Sequence, residues 1–148
     1  VLVERALDLM ATIRPTIVSS FEGYAATAEV CLELWERDPH DATLAKHARK
    51  ACQGLHAFAA IFPIGKPRAL LYQGRYDWLR GRKAAARRAW QRSMTLSERL
   101  SMPFEQALAR FEIGRHLDPA DPNRRLLLNQ AREAFERFGI WHYTERFL

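Results

Sequence analysis

The 148-residue chain contains only two cysteines, Cys31 and Cys52. That is too few for a disulfide framework, and neither the CxxC nor the paired-histidine spacing of a zinc site is present. No apolar run approaches the roughly 18 residues needed to span a bilayer, and the first residues lack the basic and apolar regions of a signal peptide. The expected location is therefore cytoplasmic, with no membrane partner. No cluster of β-branched residues bounded by turn signals reads as a strand. Acids are almost missing from one stretch: residues 66–92 hold nine Lys or Arg against the single Asp77. Catalytic signatures are lacking too. There is no GxSxG elbow, no phosphate-binding GxxxxGK[ST] loop, and no Ser or Cys with a neighbouring base and acid.

What is present is helical periodicity over nearly the whole length, with 48% hydrophobic residues, enough for one domain with a real core. Pro and Gly divide the pattern into eight helices: about Leu2 to Ile13, Thr16 to Arg37, Asp41 to Ile61, Pro67 to Arg80, Lys83 to Leu100, Pro103 to Leu117, Arg124 to Phe138 and Ile140 to Leu148. The opening VLVERALDLM reads as mid-helix, so the chain is expected to be a piece of a larger protein.

A repeat lies under these helices. Gly74, Gly81, Ala86 and Trp90 have the spacing of an antiparallel helix pair, in which small residues allow close approach and a large ring fills the wedge. Gly114, Leu117, Ala131, Phe135 and Phe138 restate the pattern, and Tyr24, Ala28, Cys31, Ala48, Cys52 and Leu55 give a weaker copy. The expected architecture is all-α, a tetratricopeptide-like solenoid occupying 1–148 as a single domain, with degenerate repeats at 21–62, 64–102 and 103–139. An irregular helical bundle is the competing arrangement.

The strings FPIGKPRALLYQGRYDWLRGRKAAARRAW, MPFEQALARFEIGRHL and AREAFERFGI resemble the C-terminal tetratricopeptide-like region of large bacterial signal-transduction ATPases. Those proteins are fused to nucleotidyl cyclase, kinase or LuxR-type output domains, and the repeat region of the maltose-regulon activator is a related architecture. The resemblance covers roughly residues 21–140. It rests on packing and turn residues such as Phe62, Pro63, Gly74, Gly81, Trp90, Gly114, Phe135 and Gly139. It implies a regulatory or relay segment that contacts other domains of the same polypeptide or a signalling partner, and it transfers no catalytic residue.

The candidate functional feature is the basic block. Lys66, Arg68, Arg75, Arg80, Arg82, Lys83, Arg87, Arg88 and Arg92 are expected to form a positive ridge. Three readings apply: a plain solvated face, a surface for an acidic protein, and a nucleic-acid contact. The last is disfavoured because Trp78 and Trp90 read as core and leave no aromatic platform for bases. The acidic first 41 residues, at −5, also offer a docking surface for the ridge of a second copy. A groove lined by exposed Glu29, Glu33, Gln73, Arg75, Asp77, Glu105, Arg110 and Glu112 is expected on the first helices of the pairs, polar enough to leave a small-effector sensor as a further alternative. His40, His47, His56, His116 and His142 show no metal-ligand spacing, and His116 with Asp118 and Asp121 is expected to form a helix end and polar turn. No cofactor or metal is expected, Cys31 and Cys52 are expected to be buried thiols, and the expected role is non-catalytic.

Overall fold

The computed structural model describes residues 2–144, and among them every regular element is helical. The helices are α1 (Leu2–Thr12), α2 (Phe21–Arg37), α3 (Ala42–Ile61), α4 (Lys66–Leu79), α5 (Lys83–Arg99), α6 (Pro103–His116), α7 (Pro122–Arg137) and α8 (Trp141–Thr144), with short 3-10 turns at Val18–Ser20 and Pro63–Gly65. Residues 145–148 of the expected terminal helix lie outside the described residues.

Helix ends follow local chemistry. Asp41 caps α3 by accepting from the backbone N–H groups of Thr43 and Leu44 at 2.7 and 3.1 Å. Asp121 caps α7 through Asn123 N–H, and Pro122 at the first helical position starts that helix two residues earlier than expected. The start of α2 is later than expected. Thr16, Ile17 and Val18 are β-branched and follow Pro15, and Ile17 is fully extended at φ −138°, so the helix begins only at Phe21. Three helices close with the same left-handed turn, at Gly81 (φ 77°), Ser101 (φ 51°) and Gly139 (φ 68°). In each, the N–H of the following residue reaches back to a carbonyl of the helix: Arg82 to Asp77, Met102 to Ser97 and Ile140 to Phe135.

Helices pack chiefly against sequence neighbours, α2 on α3, α4 on α5 and α6 on α7. Side-chain contacts fix their directions. On α4 and α5, Ser93 Oγ donates to Pro67 O and Trp90 Nε1–H donates to Leu71 O, so one index rises as the other falls and the helices are antiparallel. Between α4 and α6 the pairs Arg68–Glu105 and Arg75–Glu112 keep a constant offset of 37 residues, so these two helices run parallel. Helices α2, α4 and α6 are in sequential contact along one side.

The core runs along the hairpins. Trp90, Tyr72, Phe58, Phe135, Leu32 and Leu55 are fully buried. A Cβ on Gly74 would overlap the Trp90 indole, and one on Gly114 would come within 3.0 Å of Leu128, so both glycines are required for close helix approach. Ala86 and Ala131 are likewise fully buried. Phe138, expected in the core, is 40% exposed: it sits past the end of α7 and touches Phe104 by one ring edge. The region where α1 meets the start of α2 leaves Leu2, Leu9, Ile13, Ile17 and Val18 exposed.

Candidate functional site

The nine bases of the central block go to two different places. Arg68 and Arg75, seven residues apart on α4, face inward and are each 3% exposed, so neither belongs to the expected ridge. Arg68 Nη2 donates to both carboxylate oxygens of Glu105 at 2.8 Å, and its guanidinium lies among the rings of Phe21, Tyr72 and Phe104. Arg75 Nη2 donates to Glu36 at 2.9 Å, and its Nε lies 3.5 Å from Glu112. Burying a guanidinium is tolerable only with a carboxylate beside it, and acids on α2 and α6 meet both arginines.

The remaining bases stay outside. Arg80, Arg82, Lys83, Arg87, Arg88 and Arg92 are exposed on α5 and its leading turn, and Lys66 is exposed at the start of α4. Arg82 pairs with Asp77 at 2.6 Å, and Lys83 Nζ sits 5.1 Å from the Trp78 ring centre. Arg80, Arg87, Arg88 and Arg92 make no ion pair among the described residues. The outer face of α5 is thus an uncompensated positive stripe, with Glu98 as the one acid in that helix.

The residues expected to line an open groove are not exposed. Arg75, Asp77, Glu105 and Glu112 are buried, and Glu29, Glu33, Gln73 and Arg110 are half-buried. Arg75, Glu105 and Glu112 take part in ion pairs that cross between helices, while Asp77 meets Gln73 and Arg82, and Arg110 meets Gln106 within α6, so the expected open polar wall is not there. The centre is an alternating ring of charge. Arg115 Nη1 donates to Glu36 at 2.8 Å and its Nε donates to Glu112 at 2.8 Å, while Arg75 approaches the same two acids. Burial alone pushes the Glu36 carboxyl up, but hydrogen bonds and charge from Arg115 and Arg75 outweigh it and hold it at about 2. Burial raises Glu105 against the pull of Arg68. At the C-terminal end of the described chain, the Tyr143 hydroxyl donates to Glu29 on α2 and its ring stacks on Phe135.

Sequence reading missed Glu36, Arg115 and Tyr143. The equal 37-residue spacing of Arg68–Glu105 and Arg75–Glu112 was a signal for those two pairs, whereas Glu36 meets Arg75 and Arg115 at offsets of 39 and 79 residues and Tyr143 meets Glu29 at 114, with no shared spacing to read.

His116 is the last residue of α6, and Asp118 and Asp121 lie in the polar turn that follows, as expected, but the histidine ring turns inward. Its ring lies 4.3 Å from Trp78 and 4.7 Å from Trp90, and Nδ1–H donates to the Glu112 carbonyl. Burial and then the Arg115 charge lower its pKa, which favours the neutral ring. Asp118 and Asp121 are engaged separately with the backbone N–H groups of Ala120 and Asn123. Among the described residues no group of three or more His, Cys, Asp or Glu side chains could hold a metal. Cys31 and Cys52 are buried on α2 and α3, and burial pushes their thiols up to about 11 and about 12. No described helix is long and apolar enough to cross a membrane.

Comparison with family models, curated proteins and solved structures gave no match for this chain.

Proposed function

We propose that the chain is a non-catalytic protein-interaction and regulatory module, built as a tetratricopeptide-like stack of antiparallel helix pairs, of the kind found in bacterial signalling or transcription-regulating ATPases. The parallel run of α4 and α6, with α5 antiparallel between them, supports the solenoid reading. The observation that carries the function is the exposed stripe of Arg80, Arg87, Arg88 and Arg92, which make no ion pair among the described residues, beside the buried Arg68 and Arg75, which are both paired. A protein retains such a stripe at little cost to its own stability, and the stripe attracts an acidic surface. The partner is another domain of the same polypeptide, a signalling protein or a second copy.

Nucleic acid is the weaker reading because the two tryptophans nearest the stripe, Trp78 and Trp90, are taken up by each other and by His116. Titration with polyglutamate and with duplex DNA at two ionic strengths tests the assignment. Preference for the acidic polypeptide, lost in Arg87→Gln/Arg88→Gln, is the expected result. A salt slope near 0.9 per neutralised phosphate on DNA, with DNA bound more tightly, would reverse it.

A further inference from the structure

A cleft of about 530 Å³ opens between α2, α6 and α7, within the size range of small-molecule sites. Four arginines, Arg37, Arg75, Arg115 and Arg124, face two acids, Glu33 and Glu36, while Phe111 and Leu128 supply apolar wall. Arg75 and Arg115 are held in place by Glu36 and Glu112, so their guanidinium groups are fixed before any ligand arrives. The other two are uncommitted: Arg37 at the end of α2 and Arg124 in the first turn of α7 make no ion pair among the described residues.

The charge of the lining points to an anion. Arg124 sits at the positive end of the α7 macrodipole, where the N-cap carboxylate of Asp121 is already engaged by the Asn123 N–H. Arg75 is 3% exposed and is met by Glu36 at 2.9 Å and Glu112 at 3.5 Å, which leaves Arg37 and Arg124 as the lining guanidinium groups without an ion pair among the described residues.

We propose that this cleft binds a small organic anion, with a carboxylate or phosphate head between Arg37, Arg115 and Arg124 and a short apolar body against Phe111 and Leu128. Guanidinium forks suit planar or tetrahedral oxyanions because they donate parallel hydrogen bonds. Glu36 and Glu112 act as positioning residues for Arg115. The site is separate from the outer stripe of α5 and does not depend on what that stripe binds.

The test uses phenyl phosphate and benzoate as charged probes and benzyl alcohol as the neutral control, followed by calorimetry and by arginine side-chain nitrogen–proton spectra. Saturable binding of a charged probe is expected with Kd on the order of 1 mM, with the Arg115 and Arg124 resonances shifting and benzyl alcohol inert. Arg37→Gln/Arg124→Gln should weaken binding at least about tenfold, equivalent to the loss of roughly one charge-assisted hydrogen bond. Because neither residue makes an ion pair among the described residues, thermal unfolding of this variant should match the wild type. Arg5→Gln/Lys50→Gln, which removes the same charge from exposed positions on α1 and α3, should bind like the wild type. Failure of both charged probes to saturate at about 10 mM, equal weakening by the two double variants, or equal binding of benzyl alcohol would overturn the proposal.

Discussion

The inner and outer faces of the α4–α5 hairpin use the same side chain in opposite ways. On α4, Arg68 and Arg75 are enclosed, surrounded by aromatic rings or neighbouring helices, and each is matched to a carboxylate on another helix. On α5, Arg87, Arg88 and Arg92 are exposed and make no ion pair among the described residues. Charge count therefore says little about role, while position on the helix says much. A buried arginine joins distant segments, tying α4 to α2 and α6, and its loss leaves a carboxylate stranded in the interior. An exposed arginine contributes almost nothing to folding and is free to meet a partner.

Substitutions that disturb this contrast should differ greatly in size. Arg68→Met, which strands Glu105, is expected to cost about 3 to 5 kcal/mol in urea unfolding. Trp90→Ala, which empties the wedge separating the two faces, should cost a similar amount, about 3 to 5 kcal/mol. A near-neutral result for Trp90→Ala would mean the hairpin does not close around that ring. Gly74→Ala should cost about 1 to 3 kcal/mol because the new methyl strikes the indole. Gly23→Ala, on open helix surface, should instead stabilise by about 0.5 to 1 kcal/mol. Arg87→Gln and Arg88→Gln should stay within about 0.5 kcal/mol of wild type.

Acid adds a pH axis to the same comparison. Glu36 has its folded pKa depressed from 4.5 to about 2, so the folded state holds its proton less readily than the unfolded chain. Its contribution is present above the ordinary carboxylate range and is lost as pH falls toward about 2. Stability measured through that window should fall in the wild type and fall less steeply in Glu36→Gln.

Much of the frame was legible because it rests on local chemistry. Asp41, Pro103 and Gly81 mark helix ends through capping, fixed φ and positive φ, and these act within a few residues of themselves. Gly74 opposite Trp90 was legible because a missing side chain and a large one at repeat spacing imply each other. The site was only half legible. The run of nine bases reads as one block along the chain, but α4 turns Arg68 and Arg75 inward, and the reason lies 37 residues away in Glu105 and Glu112. Exposure of a charged residue was assumed from its type, and that assumption fails wherever a distant acid makes burial tolerable. Phe138 failed in the opposite sense: an aromatic at a repeat position, at the C-cap of α7, meets Phe104 by a ring edge and stays 40% exposed.

The division between structural and free arginines is tested most directly by a double-mutant cycle on Arg68 and Glu105, read by urea unfolding of wild type, Arg68→Met, Glu105→Leu and the double variant. If the pair exists to neutralise itself inside the groove, the double variant will be more stable than either single variant, with a coupling of about 1 to 3 kcal/mol. Additive losses, with the double variant the least stable of the four, would contradict the account.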